Sequence, residues 1–131
     1  MIDGVVEGQG ALVHAIAAAV EDQDGTALVS RDHAILVASD SLAATIDAIR
    51  QCVATAIVVI VPADWAPLDR HLLVAAIEPL AIELAPATRV NALDIAPGAQ
   101  MADIAAAAIF LLSAQSVTGQ ILAIEQRPDA N

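Results

Sequence analysis

The side chains able to do chemistry here are few, because the chain contains no tyrosine and no lysine. His14, His33 and His71 fall in separate segments, and none has metal-ligand spacing such as HExxH. His14 reads as a helix residue facing a neighbour and His33 as part of a turn. His71 follows Arg70 and has Asp64 and Asp69 close by in sequence, so it is the histidine best placed to act as an acid-base group. The competing reading of those acids is a solvated helix start, where the helix dipole favours negative charge. Cys52 is the only cysteine. It forms no intrachain disulfide, and beside an apolar strand it reads as a buried, inert thiol rather than a nucleophile.

The elements that must position these residues follow from hydrophobic patterning and turn residues. ALVHAIAAAVED predicts a helix from about 11 to 21. TALVS and AILVA, bounded by turn residues, predict strands over 26–30 and 34–38. Ser39, Asp40 and Ser41 offer N-cap chemistry for a helix over 42–52. AIVVIV, residues 56–61, predicts a strand buried on both faces, as in a parallel sheet. A long helical segment follows over 68–84, with Leu72, Leu73, Ala76, Leu80 and Leu84 on one face. Pro79 inside it predicts a kink or break. A strand over 88–95, a helix over 102–113 that is apolar nearly all round and so buried on both sides, and a strand over 120–125 complete the pattern. Strands alternate with helices throughout the 131 residues, which predicts a single α/β domain with a mostly parallel sheet.

Composition limits the partners. Five arginines against 16 acidic residues leave a formal charge of −11. Such a field repels phosphate backbones and anionic lipid, so neither nucleic acid nor a membrane surface is an expected partner. The plainer role of the acidity is to keep an apolar chain in solution. The chain is 58% hydrophobic, with a mean hydropathy of +0.70. Its apolar mass is Ala, Val, Ile and Leu, which suits helices packed on a sheet. Too few polar side chains remain to cover an isolated small domain, so part of the apolar surface is expected to lie against another subunit. The single cysteine, and a start (MIDGVVEGQG) without a basic or apolar signal region, predict a cytoplasmic protein. No apolar run reaches the roughly 18 residues that span a bilayer.

The last third carries a family resemblance. LAIELAPATRVNALDIAPGA and then MADIAAAAIFLLSAQSVTGQILAIE, covering Leu80 to Glu125, resemble the C-terminal part of the short-chain dehydrogenase/reductase family. In that family a long helix is followed by an RVNA strand, a Pro-Gly turn, a DIA helix and a VTGQ segment opening the final strand. The resemblance implies a Rossmann-like three-layer sandwich, reduced here relative to the full family fold. Gly4, Gly8 and Gly10, in a GxxxGxG arrangement, are similar to the family's cofactor loop, whose tight turn brings backbone N–H groups and a helix N-terminus to a pyrophosphate. That loop normally follows a central strand, and only three residues precede Gly4, so the first strand is missing or remade. Arg31 stands where members discriminate the cofactor ribose and would suit a 2′-phosphate, or is one half of a solvated charge pair. Asp40 is similar to the family's adenine-contacting aspartate, or is a helix N-cap.

The family's chemistry uses a tyrosine as general acid or base and, four residues on, a lysine that lowers its pKa and holds the cofactor ribose. By the resemblance these positions fall at or near Ala66 and Arg70. Alanine has no proton to transfer, and a guanidinium does not replace a compact amine. The substrate-covering loop between Pro97-Gly98 and the DIA helix is gone. Leu93-Asp94 look like two residues added to the RVNA strand, which unsettles the register of Pro97-Gly98. The expectation is therefore a non-catalytic subunit of dehydrogenase type. It would work through homo-oligomers, or hetero-oligomers with a catalytically complete relative, and need no cofactor. The alternatives are a module that still binds NAD or NADP through Gly4, Gly8, Gly10, Arg31 and Asp40, and a small oxidoreductase remodelled around Asp69 and His71.

Overall fold

The uninterrupted apolar run Ala56–Val61 forms the central strand of a five-stranded sheet, with every residue buried. The computed structural model describes residues 26–28, 32–38 and 41–128. Within them the elements are β1 (Thr26–Leu28), β2 (His33–Val37), α1 (Leu42–Gln51), β3 (Ala56–Val61), α2 (Pro67–Leu84), β4 (Arg89–Ile95), α3 (Met101–Ser113) and β5 (Ile121–Ile124). The strands lie side by side in chain order. β2 to β5 are parallel, with Ile35 opposite Val58, Val58 opposite Asn91 and Ala92 opposite Ile121. β1 is the exception and pairs antiparallel to β2. His33 is the first residue of β2 and half-buried, so it belongs to the sheet and not to a turn.

Strand alternation divides the core into two layers, because successive side chains point to opposite faces. Ala34, Leu36, Ile57, Val59, Val61, Val90 and Ala92 pack against Ile49 of α1 and Leu73, Ile77, Leu80 and Ala81 of α2. Ile35, Val37, Val58, Ile60, Leu93 and Ile95 share the other layer with Ile104, Ala105, Ala108, Leu111 and Leu112 of α3. The result is a small Rossmann-like sandwich with a sheet between two helical layers. All three parallel crossovers step the same way across the sheet, yet α1 and α2 lie on one face and α3 on the other. The α3 connection therefore has the opposite hand to the two before it, so one kind departs from the usual right-handed rule.

Local chemistry sets the helix ends. Ser41 caps α1, its Oγ accepting from Ala44 N at 3.1 Å. Pro67 opens α2 at a position where its missing N–H leaves nothing unpaired. Pro79 does not break α2, which runs unbroken from Pro67 to Leu84. The proline deprives the Ala75 carbonyl of its donor, but both residues are on the exposed side, where water replaces it. The inward face of α2 is Leu73, Ile77, Leu80 and Ala81, whereas Leu72 is 42% exposed and Ala76 and Leu84 sit at the margin. The leucine face expected from the sequence is thus rotated. Nor is α3 covered on both sides within the chain, since Phe110 is 57% exposed and Ile109 36%.

Candidate functional site

In open parallel sheets, ligands bind beyond the carboxyl ends of the strands, where neighbouring connections diverge. That place here is between β3 and β4, because the chain leaves β3 toward the α2 face and leaves β4 toward the α3 face. Among the described residues, the Arg70 side chain reaches across it. Arg70, in the first turns of α2, donates from Nη1 to the Pro62 carbonyl just beyond β3 at 2.6 Å. Its Nη2 donates to the carbonyl of Ile95, the last residue of β4, and contacts the Asp94 carboxylate. Arg70 and Asp94 are both largely shielded, with side chains 21% and 32% exposed. The Asp94 Oδ1 atom is itself out of water and makes no directed hydrogen bond, so its partner there is the guanidinium charge.

The rim of this crevice is built by the β4–α3 turn. Gly98 takes a φ of +85°, which a side chain would strain. The Gln126 side chain lies against it, so that a Cβ on Gly98 would meet Gln126 Cδ and Oε1 at 2.9 Å. Beyond it, Arg127 grips Asp103 near the start of α3 through bonds of 2.7 and 2.6 Å. That pairing holds the Asp103 carboxyl below its usual range. The added residues Leu93 and Asp94 cause no bulge. They continue the ladder opposite Ile60 and Val61, so β4 is simply longer and the Pro97-Gly98 turn follows in regular register.

The sequence-derived candidates separate into three groups. Gly4, Gly8, Gly10, Arg31 and Asp40 lie outside the described residues, as do His14 and the helix expected over 11–21. Asp64, Ala66, Asp69 and His71 are described and exposed, with Asp69 in the first turn of α2. Among the described residues, no three His, Cys, Asp or Glu side chains are grouped to hold a metal ion. Cys52 is half-buried after α1, and burial pushes its thiol pKa up, away from a nucleophile's range.

Sequence reasoning passed over a second cluster. Arg89 donates to the carbonyls of Leu111 (3.2 Å), Leu112 (3.1 Å) and Ala114 (2.7 Å), closing the C-terminal end of α3. The Asn91 side chain, 2% exposed, donates to Val117 O and accepts from Gln120 N, both at 3.0 Å. Val90 N donates to Thr118 Oγ1, and Gly119 N to Val90 O. The RVN and VTGQ motifs therefore recognise each other and fix β5 beside β4. Their joint appearance in the sequence is the signal that would have revealed it.

These features define a small Rossmann-like α/β protein. A family model described as short chain dehydrogenase-like protein matches residues 30–124. The chain belongs to that family. No curated protein matches it. No helix among the described residues is long and apolar enough to cross a membrane.

Proposed function

We propose that this chain is a non-catalytic, short-chain-dehydrogenase-like subunit that acts through association, with itself or with a catalytically complete relative. The observation that carries the proposal is the apolar side chains on the outer surfaces of α2, α3 and β5. On α2, Ile82 is 71% exposed and Leu68 67%; on α3, across the sheet, Phe110 is 57% exposed; and Ile121 of β5 is 36% exposed. Large apolar side chains left uncovered on the outer faces of helices are surface that a partner can bury. The lack of catalytic function rests on chemistry. With neither tyrosine nor lysine in the chain, the family's proton-transfer pair has no substitute in the exposed Ala66 or in the fully engaged Arg70. The exposure of Asp69 and His71 to solvent weighs against a remodelled active site there.

Native mass spectrometry and sedimentation of the purified chain at micromolar concentration test the association. Dimers or larger species are expected, and a well-behaved monomer that also ignores catalytically complete relatives would count against the reading. An assay of hydride transfer with NAD(H) and NADP(H) tests the rest. Turnover by the chain alone would overturn it.

A further inference from the structure

We infer that the crevice between the carboxyl ends of β3 and β4 is closed from within the chain, with the Arg70 guanidinium as its permanent occupant in place of a small-molecule ligand. Among the described residues, the groups that Arg70 is bonded to or paired with are electron-rich. They are the main-chain oxygens of Pro62 and Ile95 and the Asp94 carboxylate. Pro62 directly follows β3, and Asp94 and Ile95 end β4, so the guanidinium bridges the ends of the two strands. A planar fork of N–H donors matches such a set, whereas an ammonium reaches fewer of them. Leaving would strand Asp94 Oδ1, which is out of contact with water and has no other partner among the described residues.

The inference makes a chemical claim. Without Arg70, what remains is an oxygen-lined slot shaped for a guanidinium. The Arg70→Ala variant of the full chain is therefore expected to melt about 5 °C below the parent. Millimolar methylguanidinium chloride should restore part of that loss, while equal sodium chloride should not, and the parent should respond to neither. A variant that melts with the parent, or that is destabilised yet ignores methylguanidinium, would overturn the inference. If Arg70→Ala does not fold, the parent chain decides the matter by NMR of its arginine side chains. Arg70 should then show slowly exchanging Nη protons with hindered rotation, and exchange as fast as free arginine would refute the closure. The inference is independent of association, which native mass reads whatever the state of Arg70.

Discussion

Asn91 has two hydrogen-bond partners on the segment leading into β5 and almost no access to water. Replacing it by alanine leaves the Gln120 N–H and the Val117 carbonyl without that partner, so Asn91→Ala should cost about 1–3 kcal/mol. Urea denaturation with an unchanged slope is the check. Cys52 gives a second prediction at this scale. Its raised pKa means less thiolate at any mildly alkaline pH than a free thiol has. Alkylation by iodoacetamide should be slower than that of glutathione, and the gap should close as pH rises. Single residues were only partly legible in the sequence. Arg70 stood out as a replaced lysine and Asp94 as an added residue, but no spacing rule joins them. Only the fold brings the start of α2 over the end of β4.

At the scale of elements, α3 depends on a residue outside itself. Arg89 satisfies carbonyls that a helix C-terminus leaves open, and its charge complements the helix dipole there. Arg89→Met should lose about 2 kcal/mol and speed amide exchange in the last turn of α3 before the rest of the helix. α1 and α2 are tied by Arg50 and Glu83, whose paired bonds measure 2.7 and 2.9 Å. The hydrogen bond from Arg50, and then its charge, hold the Glu83 carboxyl below its usual range. The contribution is thus present above the ordinary glutamate pKa of about 4.3 and disappears as pH falls through the lowered value. Melting curves of Glu83→Gln should lie nearer the parent's in acid than at neutrality, and the difference should be small and salt-sensitive because the pair is exposed. Among the described residues, strands and helices were legible to within a residue or two, since apolar runs bounded by Pro, Gly and Ser admit few alternatives. The inward face of α2 was not. Leucines surround that helix on several sides, so periodicity alone does not select Leu73, Ile77, Leu80 and Ala81. Nor does patterning show that α3 crosses to the opposite face.

For the whole molecule, the apolar surfaces of α2 and α3 face opposite sides of the sandwich. Two separate contact surfaces are therefore proposed. Ile82→Glu and Phe110→Glu should each shift the mass distribution toward smaller species, and the two together should give monomer. Neither should change the stability of the isolated domain by more than about 0.5 kcal/mol, because both positions are on its surface. Sedimentation and thermal melting of the same samples separate the two effects. The arginines add a consequence of their own. Arg50, Arg70, Arg89 and Arg127 are each engaged by acceptors of their own chain, in a molecule of formal charge −11. In the proposed assembly, copies approaching one another would meet mutual repulsion, and apolar contact would have to draw them together. Raising ionic strength should accordingly tighten the assembly, the reverse of what complexes held by opposite charges do.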